Sequence, residues 1–252
     1  VEKSSILFFL SISDKQKIPV FNYRFISHSS IILNYLAHLF LAQRNPHSLV
    51  GNLMGDFIRG VNVSELQPAI ARGVQNHKAV DRFTDSHEIL RSLKANFSSQ
   101  RRRFAGIIID VVFDHFLIKH WQNYSSENLG EFTAYCYESL AGLHHVMPTR
   151  MQQKVDWMIG CDLLNSYAQL KGISNALNGM SRRIRFENTL AGAIEEVDNH
   201  YTTLEQGFLA FFSQLRAHIH AENIEEVNDD RQNLADHSLV YRHQFRRAYR
   251  TP

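Results

Sequence analysis

Two stretches constrain this chain more than any others: Asn76 to His87 and Ile108 to Phe116. The first sets His77, Asp81 and Asp85 four residues apart, so on a helix they share one polar line. The second sets Asp110 and Asp114 four apart inside the apolar, aromatic run Ile108-Ile109-Asp110-Val111-Val112-Phe113-Asp114-His115-Phe116. A carboxylate desolvated in such a run without a partner costs several kcal/mol. A shared cation held by His and Asp is the economical solution, and it requires helices that bring these residues to one place.

The rest of the chain is compatible with a helical scaffold. Only 5 Pro and 12 Gly interrupt 252 residues, and no period-2 segment of useful length appears, so the expected fold is all-α. Expected helices are Asn34 to Ala42, capped by Asn34; Leu49 to Gly60; a short one from Ser64 to Gly73; and a long one from Val74 to Leu93. Phe104 to Trp121, Glu131 to His145 and one starting at Thr149 follow. Gly172, Asn175, Asn178 and Gly179 predict repeated turns, and Phe186 to His218 reads as one long helix. In that last helix Leu190, Ile194, Val197, Tyr201, Leu204, Phe208 and Phe211 form the core stripe.

Domain boundaries follow texture. Residues 1–32 show no sustained period and are expected to be a peripheral extension. Residues 33–220 form the helical domain. Residues 221–252, acidic and then basic, are expected to be a solvated tail. The run Ile6 to Leu10 meets the signal-peptide pattern only loosely, and no apolar stretch is long enough for a membrane span. Two cysteines without CxxC spacing fit a reducing compartment and argue against a zinc-thiolate site, which makes the expected location cytoplasmic. A formal charge of +2 gives no reason to expect nucleic acid as partner.

Asp56, between Gly55 and Phe57, adds a further carboxylate in an apolar setting; a pair with Arg59 is the structural alternative. Gly51 and Gly55 allow another backbone to approach. His38 alone reads as a core histidine. The combination of His77, Asp81, Asp85, Asp110, Asp114, His115 and Asp56 points to a metal site, because so many buried polar groups seldom go unpartnered. Imidazole with carboxylate suits manganese, iron or zinc, and magnesium if oxygen dominates. Such a site lowers the pKa of bound water and neutralises phosphoryl charge, so the cations Arg59, Lys78, Arg82, Arg182, Arg183 and Arg185 suggest a phosphate ester.

Asn34-Tyr35-Leu36-Ala37-His38-Leu39, Gly51-Asn52-Leu53-Met54-Gly55-Asp56-Phe57-Ile58-Arg59-Gly60, His77-Lys78-Ala79-Val80-Asp81-Arg82-Phe83-Thr84-Asp85, Asp110-Val111-Val112-Phe113-Asp114-His115-Phe116-Leu117 and Asn178-Gly179-Met180-Ser181-Arg182-Arg183 resemble, in order, blocks of the bacterial acyl carrier protein phosphodiesterase family. The resemblance runs from about Asn34 to about His218. It implies a single helical bundle, a distorted HD-phosphohydrolase-like domain. It also implies a divalent cation, typically Mn2+ with Mg2+ or Fe2+ as alternatives, and hydrolysis of the phosphodiester between 4′-phosphopantetheine and a serine of holo-acyl carrier protein.

Carried over by position, the implied metal ligands are Asp56, His77, Asp81, Asp110, Asp114 and His38. His115 and Asp114 are the implied catalytic groups, with His115 as proton donor to the leaving oxygen. Arg59, Lys78, Arg82, Arg182 and Arg183 are expected to bind substrate. Asp85 is expected to orient a ligand and His87 to lie on the surface. Family members usually begin with Met at the place of Leu33, so translation is expected to start there. Two rival readings are an HD-like hydrolase of nucleotides or other small phosphoesters, and a non-enzymatic helical binding protein.

Overall fold

The computed structural model describes residues 34–226, and expectations for residues 1–32 and for those after 226 lie outside that range. Among the described residues there are helices and connecting turns but no strand, as expected. None of these helices is long and apolar enough to cross a membrane.

Helix α1 (Tyr35–Leu41) and helix α2 (Pro46–Met54) pack against each other. Pro46 opens α2, and Asn45 caps it by accepting the Ser48 N–H at 2.8 Å. A 3-10 turn, Gly55–Phe57, continues from α2 and carries Asp56. Helix α3 (Pro68–Ser86) then packs along α2 at backbone contact. A Cβ at Gly51 would lie 2.3 Å from the Ile70 carbonyl oxygen, so only glycine permits this approach.

Pro68 starts α3 at its first turn, so the expected short and long helices are one here, and the break falls later, at His87. His87 is extended, and its Nδ1 accepts the Ile89 N–H at 3.3 Å, capping α4 (Glu88–Ala95). Helix α5 (Ala105–Lys119) is the central element, buried on most sides, with Ile108, Ile109, Val111, Val112, Phe116 and Leu117 fully enclosed. Helices α6 (Leu129–Gly142), α7 (Thr149–Gly160) and α8 (Leu163–Ser166) cover one flank. On α6, Phe132 and Leu140 are buried as expected, and Tyr135 is half-buried.

Two expectations fail in the second half. Residues Leu170–Arg183 form helix α9 rather than repeated turns. Ile173, Leu177 and Met180 are buried on one face, and that burial outweighs the roughly 1 kcal/mol helix penalty of each Gly or Asn. The expected helix from Phe186 to His218 is divided: α10 (Ile194–Asn199) stops at His200, and α11 (Tyr201–Glu222) follows. The apolar stripe survives the division, with Leu190, Val197, Leu204, Phe208 and Phe211 in the core and Ile194 and Tyr201 half-buried against it.

The expected solvated tail starts inside α11, and Glu225 just beyond that helix is buried rather than solvated. Its carboxylate accepts the Ser48 hydroxyl at 2.5 Å, the Gln43 N–H at 3.0 Å and the Asn52 side-chain amide at 3.2 Å. Asn52 in turn accepts the Asn76 amide at 2.9 Å.

Candidate metal centre

Helices α1 and α3 cross so that His38 and His77 stack, with ring centroids 4.0 Å apart and planes 21° from parallel. Both Nε2 atoms turn to Asp81. His38 Nε2 lies 3.3 Å from one carboxylate oxygen and His77 Nε2 lies 3.1 Å from the other. Asp56 approaches from the end of α2, its Oδ1 3.6 Å from His77 Nε2. The i,i+4 spacing on α3 thus does what its periodicity requires: His77 and Asp81 present one face.

The two imidazoles are buried, while the Asp81 side chain keeps 23% of its exposure. His38 and His77 are 1% and 2% exposed. Apart from the 3.3 Å approach of His38 Nε2 to Asp81, both ring nitrogens of His38 and Nδ1 of His77 make no hydrogen bond of good geometry among the described residues. Buried imidazole nitrogens without partners are expensive. Two such rings and a carboxylate, with one donor atom each and all within 4.8 Å of one another, form a donor set that suits a divalent cation. Thiolates are absent from the group, so the chemistry is that of a mixed nitrogen and oxygen site.

The electrostatics agree with that reading. Burial, then the neighbouring His77, pull His38 down to about 4 against the attraction of Asp81, so it is neutral and free to ligate at neutral pH. Burial alone would lower His77, but Asp81, Asp56 and the Asn52 backbone together raise it. Burial would raise Asp81, and the two imidazoles overcome this and hold it below the usual carboxylate range. Asp56 and Asp110 are both pushed up to about 7, chiefly by burial. For Asp110, Lys94 opposes the push and the carboxylates of Asp81, Asp85 and Asp56 add to it, so this α5 carboxyl lies within electrostatic reach of the cluster. Several carboxyls that resist ionisation around two imidazoles are what a missing positive charge would relieve.

Other expected site residues lie elsewhere. Asp114 is fully buried, and its two oxygens accept the Leu36 and Ala37 N–H groups at 3.0 and 2.9 Å. It therefore caps α1, the task assigned above to Asn34, whose side chain makes no capping bond. Asp114 is not in the group whose donor atoms converge; the contacts its two oxygens make are to the start of α1, the helix that carries His38. His115 is likewise outside the converging group. Its Nδ1 meets the Tyr167 carbonyl at 2.8 Å and its Nε2 the Tyr201 hydroxyl at 2.9 Å.

Asp56 pairs with His77 and not with Arg59. Gly55 makes room for a side chain instead of a backbone: a Cβ there would lie 2.1 Å from His77 Cδ2. Arg59, Lys78, Arg82, Arg182 and Arg183 are all exposed, as is Asp85. On α3, Lys78 and Arg82 each follow a cluster residue by one position and so point away from it. His87 is half-buried and contacts Gln214 at 3.3 Å. Sequence reasoning missed Lys154 on α7, which interacts electrostatically with Asp56; a lone lysine in a mixed-polarity helix carries no signal by itself.

Comparison with known proteins bears on what this cluster does. The family profile described as acyl carrier protein phosphodiesterase matches residues 33–215. A protein of Serratia proteamaculans named acyl carrier protein phosphodiesterase is 39% identical over 184 residues, covering 73% of this chain and 95% of the relative. Proteins of the same name from Yersinia enterocolitica and Salmonella agona are 35% and 33% identical; they cover 71% and 73% of this chain and 94% and 96% of their own lengths. No solved structure matches the chain.

Proposed function

This chain belongs to the acyl carrier protein phosphodiesterase family, and from that premise we propose that it hydrolyses the phosphodiester linking 4′-phosphopantetheine to a serine of holo-acyl carrier protein. Water adds to phosphorus, the bond from phosphorus to the serine oxygen breaks, and the serine oxygen leaves with a proton. The products are apo-acyl carrier protein and 4′-phosphopantetheine. The observation that carries the proposal is the convergence of His38 Nε2, His77 Nε2 and the Asp81 carboxylate on one buried point.

His38, His77 and Asp81 are the residues that would hold a divalent cation, with Asp56 and Asp110 completing the shell. Bound there, the cation supplies positive charge for the phosphoryl oxygens and lowers the pKa of water. Two imidazoles favour Mn2+ or Fe2+ over the oxygen-seeking Mg2+. Without a cation, burial holds the Asp56 carboxyl up at about 7 beside His77, and a cation bound there would ionise it. Asp114 holds α1, and with it His38, in register.

The test is conversion of holo- to apo-acyl carrier protein, followed by intact mass, with Mn2+ and with chelator. Wild-type protein with Mn2+ is expected to release the 4′-phosphopantetheine mass, and Asp81→Ala or chelator to stop it. No release by the wild-type protein, or full release by Asp81→Ala, overturns the proposal. A panel of nucleotides run in parallel addresses the rival substrate class.

A further inference from the structure

Beside the imidazole cluster, on the side of Asp56, two cations share one indole. Lys154 Nζ lies 4.1 Å from the centre of the Trp157 ring and 5.2 Å from that of Tyr35. The Arg183 guanidinium lies 5.5 Å from the same Trp157 ring. Tyr35 is three residues before His38 on α1, so this aromatic wall adjoins the cluster. Arg183 comes from the last turn of α9, and Lys154 and Trp157 from one face of α7. Three separate helices therefore bring two positive groups together.

Neither cation forms a salt bridge with a carboxylate among the described residues. The carboxyl that acts on Lys154 is Asp56, which is engaged with His77. Like charges held together without a counter-ion repel, and ring faces offset this only in part. An anion between them would restore the balance. Arg presents a planar fork and Lys a point charge, a combination well suited to a tetrahedral oxyanion.

We propose that Lys154 and Arg183, seated on Trp157, form the pocket that receives the substrate's phosphodiester oxygens next to the His38–His77–Asp81 cluster. This rests on the phosphodiesterase reading above. Of the expected phosphate-binding residues it keeps Arg183 of α9, adds Lys154 of α7, and gives no part to Arg59, Lys78 and Arg82. Burial first, and Arg183 second, bring Lys154 down to about 7, so an anion bound there also keeps its ammonium charged. The same indole supplies an internal reporter. The second tryptophan, Trp121, is buried in the core and gives its N–H to the Glu127 carbonyl, so it contributes a constant background.

The experiment is titration of full-length, metal-stripped protein with inorganic phosphate at constant ionic strength, read by tryptophan fluorescence. A saturable change is expected in the wild-type protein. Trp157→Phe is expected to lose the signal. Lys154→Met, which keeps the aliphatic stem on the ring, is expected to lose the binding, and Lys154→Arg to recover part of it. With holo-acyl carrier protein and Mn2+, Lys154→Met is expected to raise KM roughly tenfold, the loss of one charge-assisted contact, with unchanged Mn2+ affinity.

No saturable change in the wild-type protein, or an identical titration by a folded Lys154→Met variant, overturns the pocket. The two proposals fail separately. Phosphate binding that depends on Lys154, in a protein that leaves holo-acyl carrier protein intact, keeps the pocket and rejects the substrate. Hydrolysis with a phosphate titration indifferent to Lys154 does the reverse.

Discussion

A Cβ built on Gly55 would lie 2.1 Å from Cδ2 and 2.6 Å from Nε2 of His77. The end of α2 is therefore shaped by the imidazole it faces. No side chain at position 55 can coexist with the observed ring, and His77 has few places to go, since His38 stacks on it at 4.0 Å. Gly55→Ala is expected to displace the His77 ring while leaving the helices intact. Mn2+ affinity should fall at least about tenfold, the equivalent of about 1.4 kcal/mol, as read by electron paramagnetic resonance of free Mn2+. Wild-type affinity in this variant would mean that His77 does not ligate.

Asp114 and Asp81 give different signatures when removed, although both belong to the matched sequence blocks. Asp114→Ala strips the acceptor from two N–H groups at the start of α1. Each buried orphan costs about 1–3 kcal/mol, so the metal-free variant should melt lower than wild type. Asp81→Ala should instead abolish the rise in melting temperature that Mn2+ confers on the wild-type protein. Calorimetry with and without Mn2+ separates the two. An Asp114→Ala variant with wild-type stability would show that its carboxylate has another task.

The sequence exposes the ligands better than their supports. His77 and Asp81 are legible because a period of four on one helix fixes their relative position. His38 is not, because its partner lies on another helix, 43 positions further along at Asp81, and spacing says nothing about crossings. Asp114 carries the same motif signal as Asp110, yet one turn of α5 separates a carboxyl that feels the charges of Asp81 and Asp56 from one bonded to the α1 backbone. Helix α9 was hidden by its Gly and Asn content, since turn propensity is local and the burial of Ile173, Leu177 and Met180 is not.

Proton competition sets the pH dependence of the metal-free protein. Asp56 and Asp110 rise from the usual 3.8 to about 7, so between those limits the folded chain holds protons that the unfolded chain has released. Their contribution to stability is present at low pH and is lost as pH rises through 7. His38, lowered from 6.5 to about 4, works the other way across much of that window. Two carboxyls outweigh one imidazole, so this cluster should favour pH 5.5 over 7.5 without metal. Mn2+ must displace the same protons, and its stabilisation should be larger at pH 7.5. Thermal melts at the two pH values, with and without Mn2+, check both signs. Equal Mn2+ stabilisation at both would exclude these carboxyls from the site.

Glu225 offers the last test, because it joins the end of the described chain to helix α3, which carries His77 and Asp81. Its carboxylate accepts from Gln43, Ser48 and Asn52, and Asn52 passes the connection to Asn76, the neighbour of His77. Among the described residues it is buried without an ion pair, and these hydrogen bonds compensate its burial. Glu225→Ala leaves three donors facing an apolar gap and should destabilise by about 1–3 kcal/mol, seen as a lower denaturation midpoint. Glu225→Gln keeps one acceptor and should lose less. If the clasp also positions α3, Mn2+ affinity falls in Glu225→Ala together with stability. An unchanged affinity would confine Glu225 to holding α2 and the end of α11 together.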